Sequence, residues 1–175
     1  MSITNVKRKT IEYGDVVCIW SNRESVNWIK LEKNKTFHNK FGVFKHEDFV
    51  SKPFGSKIIA NKGGNGYVYV LQPTPELWTR SITHRTQILY EVDISMILFY
   101  LDIKPGSVVY ESGTGSGSLS TAIARTIFPN GHLYTFEINA ERVEKAKCEL
   151  IDWCYNESCL YRFFLNPFSF FSFFE

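Results

Sequence analysis

The chain has 175 residues, which is enough for one ordinary domain or two small ones. Its 44% hydrophobic and 22% charged residues are typical of a globular protein, and no apolar run reaches the roughly 20 residues that a membrane-spanning helix needs. The net charge of +2 conceals an asymmetry: residues 1–62 hold 12 Lys and Arg against 6 Asp and Glu, whereas residues 63–175 hold 8 against 12. The basic first part indicates either contact with a polyanion such as RNA or an ordinary solvated, lysine-rich surface.

The cysteines, the histidines and the N-terminus also exclude several classes of protein. The four cysteines form no C-x-x-C pair and the four histidines are scattered, so we expect reduced thiols and no metal site. Residues 1–10 are polar and include Lys7, Arg8 and Lys9, which is unlike a secretory signal. We therefore expect neither a membrane nor a metal among the partners of this chain.

Residues 1–72 predict a small N-terminal β-domain. Short apolar runs separated by Gly and Asn turns are typical of the strands of a β-barrel or a β-sandwich. The predicted strands cover residues 16–20, 26–31, 36–38, 41–44, 57–60 and 67–71. The sequence Gln-Pro-Thr-Pro at 72–75 then breaks the chain, and we place the domain boundary there.

Residues 73–152 predict an α/β domain, because helical and strand patterns alternate. The predicted elements are a helix over 91–101, a strand over 107–111, a helix over 118–128, a strand over 132–138 and a helix that Asn139 caps. This succession predicts a parallel sheet with right-handed crossovers. Only two strands are recognised in this part of the sequence.

Residues 153–175 are predicted to be an atypical, aromatic-rich tail. Seven of the fifteen Phe residues of the chain lie in 163–175, and they follow neither a 3.6-residue nor a 2-residue period. We expect this tail to be foreign to the fold and to lower the solubility of the protein.

The clearest functional signal is the turn that follows the first strand of the α/β domain. Glu111 ends an apolar run, and glycines at 113, 115 and 117 then alternate with small polar residues. Without Cβ atoms, such a turn lets the backbone pass very close to a bound ligand. It joins a predicted strand to a predicted helix, where α/β sheets bind nucleotide-like cofactors.

Two cofactor classes fit such a turn. Dinucleotide sites use G-x-G-x-x-G, and that spacing is missed here because Ser118 follows Gly117. S-adenosyl-L-methionine suits the turn better, because Glu111 can accept its cationic methionine ammonium directly or through water. Glu137 ends the next strand and is placed to accept both ribose hydroxyls, as a carboxylate at that position usually does. The alternative is a purely structural role, in which the glycine turn only packs against its neighbours and binds no ligand, and Glu137 is a solvent-exposed residue at the end of its strand.

Four runs of residues occur in the same order in one known family. They are Pro-Phe-Gly-Ser-Lys at 53–57, Leu-Gln-Pro-Thr-Pro-Glu-Leu-Trp at 71–78, His-Arg-Thr-Gln-Ile-Leu-Tyr at 84–90 and Glu-Ser-Gly-Thr-Gly-Ser-Gly at 111–117. With these runs, residues 10–150 resemble the catalytic subunit of tRNA adenine-N1 methyltransferase, which methylates the T-loop adenine. Many methyltransferases share the glycine run, but the second and third runs are far more specific.

The resemblance implies a class I methyltransferase domain of the Rossmann-like type, preceded by a small β-barrel-like domain. The sheet of the family has about seven strands and only two are recognised here, so we expect the Rossmann-like domain to be incomplete. It also implies S-adenosyl-L-methionine as cofactor, tRNA as substrate, a non-catalytic partner subunit in a heterotetramer, and a location in the nucleus. The residues then expected around the cofactor are Gln87, Ile88, Leu89, Tyr90, Glu91, Glu111, Ser112, Gly113, Thr114, Gly115, Ser116, Gly117, Ser118, Leu119, Glu137 and Arg142.

The catalytic acid of the family has no counterpart in this sequence. The resemblance places that acid after a fourth strand in an Asp-x-Pro context, and no such motif occurs in 1–175. We therefore assign no catalytic residue and expect a truncated, inactive form of the subunit. Two alternatives stay open: a non-enzymatic tRNA-binding or subunit-interaction module with a vestigial cofactor fold, and an unrelated methyltransferase, against which the two specific runs argue.

The expected inactivity can be tested by single-turnover kinetics on the purified chain. Methyl transfer requires in-line placement of nucleophile, methyl carbon and sulfur, so lost positioning of the adenine costs most of the rate. With tRNA and radiolabelled S-adenosyl-L-methionine, we expect no methylated adenosine above background. Appreciable product would contradict this expectation.

Overall fold

The computed structural model describes residues 10–22, 25–61, 66–82, 87–153 and 160–165. The basic run at 7–9, the His-Arg-Thr stretch at 84–86 and the tail from 166 onward lie outside the described residues. The chain divides into two compact units, Met1–Pro73 and Thr74–Glu175. No helix within the described ranges is both long and apolar enough to cross a membrane.

The first unit is built from β-strands. Its elements are β1 (Val16–Asn22), β2 (Ser25–Lys30), β3 (Thr36–Asn39), β4 (Gly42–Lys45), a 3-10 turn (His46–Asp48), β5 (Lys57–Ile59) and β6 (Tyr67–Leu71). Four strands form an antiparallel sheet in the order β2-β1-β6-β5, and β3 pairs with β4 in a separate two-stranded sheet. All six predicted strands are therefore found. The expected barrel is not, because neither sheet closes on itself among the described residues.

Period-2 alternation explains the core of the first unit. Successive side chains of a strand point to opposite faces, so Val17 and Ile19 of β1 face the same side as Val68 and Val70 of β6. Ile19 lies directly opposite Val70 in the antiparallel register, and all four residues are fully buried. These four side chains and that of Phe44, which comes from the β3–β4 hairpin, form one buried cluster. Their shared burial holds the two sheets together.

The second unit has the expected α/β succession. Its elements are α1 (Pro75–Ser81), α2 (Glu91–Tyr100), β7 (Val108–Ser112), α3 (Ser118–Ile127), β8 (His132–Glu137), α4 (Ala140–Trp153) and β9 (Leu160–Leu165). The three strands form a parallel sheet in the order β7-β8-β9. Ile123 and Ile127 of α3 pack on Leu133 of β8 to form a buried core. Asn139 caps α4 as predicted, because its Oδ1 accepts a hydrogen bond from Arg142 N at 3.1 Å.

The first helix of this unit was not predicted. The Pro-rich segment that we interpreted as a chain break also begins α1, with Pro75 in its first turn. Proline suits that position, because the missing N–H would have no partner inside the helix and the fixed φ is already helical. The Oγ1 of Thr74 accepts a hydrogen bond from Leu77 N at 3.3 Å and caps the helix.

The third strand corrects two expectations. We expected only two strands and a tail foreign to the fold, but residues 160–165 pair with β8 along the whole of β9. The pairing satisfies backbone groups that β8 would otherwise leave open at its edge. Phe164, one of the Phe residues of the tail, stacks on Phe136 with ring centroids 5.0 Å apart. Residues 160–165 therefore belong to the sheet, although their Phe pattern gives no clear period.

The substitution Leu133→Ala tests the core of the second unit. Leu133 is 1% exposed, so truncation leaves a cavity, and we expect the free energy of unfolding to fall by about 2–5 kcal/mol. Leu101→Ala is the matched control, because Leu101 is 65% exposed. Urea unfolding followed by circular dichroism measures both variants. Equal losses in the two variants would show that the Ile123–Ile127–Leu133 contact does not stabilise this unit.

Candidate cofactor-binding site

The turn between β7 and α3 has a conformation that requires glycine. Gly113, Gly115 and Gly117 have φ values of 95°, 55° and 77°, a region that other residues rarely adopt. A Cβ placed on Gly113 would meet no atom within 4 Å, so this glycine borders open space. The turn therefore presents bare backbone at the carboxyl end of β7, where open α/β sheets bind ligands.

The neighbouring strand β8 holds the start of the turn in place. The backbone N–H groups of Gly113 and Thr114 both donate to the carbonyl oxygen of Phe136, at 2.7 and 3.1 Å. The hydroxyls of Thr114 and Thr135 form a further hydrogen bond of 2.6 Å. The position of the turn is thus set by β8 as well as by its own strand.

Glu137 lies at the end of β8, directly beside the turn. It is only 5% exposed, and its Oε2 accepts a hydrogen bond from Gly115 N at 3.0 Å. Its Oε1 accepts from Asn139 N at 3.1 Å and lies 3.8 Å from Nη1 of Arg142. A carboxylate has about four lone-pair sites, so each oxygen keeps capacity for one more donor. The side chain is therefore oriented in advance and still able to accept two hydroxyls.

Glu111 is the second buried carboxyl group at the site. Its Oε2 accepts hydrogen bonds from Ser120 Oγ at 2.6 Å and from Thr135 Oγ1 at 2.7 Å. Burial raises the pKa of Glu111 above its ordinary value of 4.5, and the bonds from the two hydroxyls oppose this rise. Its Oε1 accepts no hydrogen bond from the described residues, and Glu111 lines the cleft described next.

These elements enclose a cleft of about 370 Å³. That volume lies within the roughly 300–1,000 Å³ range of small-molecule sites. All of its lining residues are among those predicted from the sequence: Gln87, Ile88, Leu89, Glu111, Ser112, Gly113, Thr114, Gly115, Ser116, Ser118, Leu119, Glu137 and Arg142. The structure therefore brings together thirteen of the sixteen predicted residues.

Three predicted residues do not line the cleft. Gly117 occupies the N-cap of α3 in the left-handed conformation, and Tyr90 precedes α2 with its side chain partly exposed. Glu91 instead forms an ion pair with Arg80 and lines a smaller cleft of about 80 Å³ beside α1. Glu91 lies in the first turn of α2, which directs its carboxylate toward α1 rather than toward the glycine turn.

Sequence reasoning missed the hydroxyl groups behind the turn. Thr135 is fully buried in β8 and bonds to both Thr114 and Glu111, while Ser120 reaches Glu111 from α3. The signal was a threonine between two aromatic residues in the middle of a predicted strand, since a buried hydroxyl there needs an internal partner. Within the ranges that the structure describes, no group of three or more His, Cys, Asp or Glu could hold a metal ion.

Solved structures show which class of protein this fold and cleft define. The SAM-dependent O-methyltransferase from Thermotoga maritima matches with a TM-score of 0.74 and 28% identity, over 91% of this chain and 58% of its own. The tRNA (m1A58) methyltransferase TrmI from Aquifex aeolicus matches with a TM-score of 0.65 and 27% identity, over 91% of this chain and 60% of its own. The second unit therefore has the Rossmann-like α/β fold of the class I methyltransferases.

Sequence comparison narrows that class to one family. Residues 66–155 match the family described as "tRNA methyltransferase complex GCD14 subunit", and the chain belongs to this family. The tRNA (adenine(58)-N(1))-methyltransferase catalytic subunit of Dictyostelium discoideum is 46% identical over 144 residues, which are 82% of this chain and 46% of that protein. Its counterpart from Schizosaccharomyces pombe is 45% identical over 139 residues, or 79% and 38%. The chain thus spans less than half the length of these curated relatives.

The raised pKa of Glu111 predicts a pH-dependent stability. The folded state holds the proton of the Glu111 carboxyl more tightly than the unfolded chain does. The protonated carboxyl therefore contributes to the free energy of unfolding fully below pH 4.5, and this contribution is lost as the pH rises through the folded-state pKa. Glu111→Gln resembles the protonated form at every pH. We therefore expect the free energy of unfolding of Glu111→Gln, minus that of wild type, to become more positive as the pH rises above 4.5.

Urea unfolding of both proteins over pH 4–8 measures this difference. Ser120→Ala provides the control, because it removes a hydrogen bond that lowers the pKa of Glu111 and should extend the loss to higher pH. If the difference in the free energy of unfolding between Glu111→Gln and wild type stays constant with pH, the pKa of Glu111 is not raised by folding.

Proposed function

We propose that residues 73–152 bind S-adenosyl-L-methionine in the cleft at the glycine turn, as the cofactor-binding part of a catalytic subunit that methylates N1 of an adenine in tRNA. The observation that carries the proposal is the hydrogen bond from Gly115 N to Glu137, which holds a buried carboxylate beside bare backbone. A carboxylate at the end of the second strand is the usual reader of ribose hydroxyls. When bound, the cofactor supplies a sulfonium-linked methyl group.

The chain's own residues account for the three parts of such a cofactor. Glu137 has one free acceptor site on each oxygen for a pair of ribose hydroxyls. Glu111 lines the cleft and its Oε1 accepts no hydrogen bond from the described residues, so this carboxyl group can hold an ammonium group. Ile88, Leu89 and Leu119 add apolar surface to the wall, which suits the faces of an adenine ring.

Charge distinguishes this cofactor from a dinucleotide. Glu111 and Glu137 are both buried and both line the cleft, and Arg142 is the one basic residue among its described lining residues. A pyrophosphate would bring two more negative charges next to these carboxyl groups in a poorly solvated site, which is unfavourable. A cationic methionine ammonium is instead attracted to them.

The relatives support the rest of the proposal. Those from Dictyostelium discoideum and Schizosaccharomyces pombe are named catalytic subunits of tRNA (adenine(58)-N(1))-methyltransferase, which supports tRNA as the methyl acceptor. The relatives are named catalytic subunits and the family is described as part of a complex, which supports assembly with a further subunit. That this subunit is non-catalytic and that the assembly is a heterotetramer rests on the family resemblance alone. We also propose a nuclear location, which rests on the family resemblance alone. The basic first part of the chain suits a polyanionic substrate.

Isothermal titration calorimetry tests the cofactor assignment with three ligands: S-adenosyl-L-methionine, NAD and adenosine. We expect S-adenosyl-L-methionine to bind and NAD not to bind. Glu137→Gln should weaken both S-adenosyl-L-methionine and adenosine by about tenfold, because both ligands carry the ribose. Glu111→Gln should weaken S-adenosyl-L-methionine alone, because adenosine has no ammonium group.

Glu141→Gln is the matched control, since Glu141 is 75% exposed on α4 and does not line the cleft. Tighter binding of NAD, or equal affinities in wild type and Glu137→Gln, would overturn the cofactor assignment. Failure to bind any of the three ligands, combined with salt-dependent binding of tRNA, would favour the non-enzymatic tRNA-binding module.

A further inference from the structure

The short helix α1 lies directly behind the glycine turn. Trp78 and Thr79 of this helix are 7% and 1% exposed, and neither lines the cleft. Both nevertheless form hydrogen bonds to residues that do line it, Ser116 and Ser118. Any influence of Trp78 or Thr79 on a bound ligand must therefore act through the turn.

The indole of Trp78 orients one peptide group of the turn. Its Nε1–H donates to the carbonyl oxygen of Ser116 at 3.3 Å in a buried hydrogen bond. The N–H of the same peptide group, which belongs to Gly117, donates to the carbonyl oxygen of Thr114 at 2.9 Å. With both polar ends bonded, this peptide cannot rotate freely, although its glycine would otherwise permit several conformations.

Thr79 connects the turn to a second segment of the cleft wall. The hydroxyl of Ser118 donates to the carbonyl oxygen of Leu89 at 2.8 Å. Since a serine hydroxyl has a single proton, the 2.7 Å bond between Thr79 and Ser118 must be donated by Thr79. The direction is therefore Thr79 to Ser118 to Leu89, which joins α1, the start of α3 and the segment before α2.

Helix α1 is itself anchored to both neighbouring helices. Glu76 accepts two hydrogen bonds from the guanidinium of Arg125 on α3, at 3.0 and 2.6 Å. Arg80 forms an ion pair with Glu91 at the start of α2. A bidentate pair and a second ion pair give α1 a defined position relative to α2 and α3.

From this geometry we propose that Trp78 and Thr79 are positioning residues, which lock the glycine turn against Leu89 and so set the shape of the cleft. Ser118 then acts as the link between wall segments, because its hydroxyl proton is already donated to Leu89. The effect on cofactor affinity rests on the function proposed above. The locking of the turn does not depend on that function, so the claim about the turn and the claim about cofactor affinity can be refuted separately.

Hydrogen–deuterium exchange on the ligand-free chain tests the locking of the turn directly. Thr79→Val keeps the shape of the side chain and removes the hydroxyl that donates to Ser118. We expect amide exchange in 113–118 and 87–90 to become about fivefold faster, as one lost hydrogen bond would cause. Thr79→Ser keeps the donor and should restore wild-type exchange, which a purely volume-dependent role would not do.

Thr126→Val is the matched control for a lost hydroxyl in the same unit. Thr126 Oγ1 donates to Ala122 O within α3 and has no bond to the turn, so exchange at 113–118 should not change. If Thr79→Val does not fold, Trp78→Phe replaces it. This variant removes the indole N–H together with part of the ring and should speed exchange at 115–117. Wild-type exchange in these segments for Thr79→Val, or for Trp78→Phe where that variant is used, would overturn the proposal.

The dissociation constant for S-adenosyl-L-methionine provides the functional readout. We expect a rise of about fivefold in Thr79→Val, recovery in Thr79→Ser and no change in Thr126→Val. Absence of binding in wild type would refute the proposed cofactor, while the exchange experiment would still decide whether α1 locks the turn. Faster exchange together with an unchanged dissociation constant would overturn the claim that the locked turn sets the cleft.

Discussion

The candidate site depends on one hydrogen bond, which joins the backbone N–H of Gly115 to the carboxylate of Glu137. Parallel strands place their carboxyl ends at the same edge of a sheet, so β7 and β8 bring the turn and the acid together. The bond gives Glu137 one fixed orientation and gives the glycine turn one fixed point. Glycines restrict the backbone little and a glutamate side chain has several rotamers, so this bond adds to the contacts with Phe136, Thr135 and Asn139 that also hold the two parts.

The two buried carboxyl groups of the site have different environments and can serve different purposes. Glu137 accepts hydrogen bonds from two backbone N–H groups and lies near the Arg142 guanidinium. Glu111 accepts its bonds from neutral hydroxyls, and burial raises its pKa. Glu137 therefore suits hydrogen bonds from further hydroxyl donors, whereas a cation beside Glu111 would favour the charged form of that group.

A single run of residues at 74–80 forms the support behind this site. Thr74 caps α1, Glu76 and Arg80 tie it to α3 and α2, and Trp78 and Thr79 reach the turn. In the sequence this run is a Pro-rich break followed by a short helical segment. Its role becomes visible only when α1 is seen beside the glycine turn, since its partners in the turn, in α2 and in α3 lie between 11 and 49 positions away.

The sequence by itself determined the local elements and the location of the cleft. Short apolar runs between Gly and Asn turns predicted all six strands of the first unit. The turn at 113–117 and Glu137, each at the end of a predicted strand, predicted the place of the cleft, because sheet topology brings strand ends together. The other residues around the cleft were expected from the family resemblance. Only the tertiary structure decided that Leu160–Leu165 joins β8, that Glu91 pairs with Arg80, and that Thr135 and Ser120 hold Glu111. These features depend on contacts between residues distant in the chain. A buried hydroxyl or an irregular aromatic run shows that a partner is needed, but only the folded arrangement shows which partner it is.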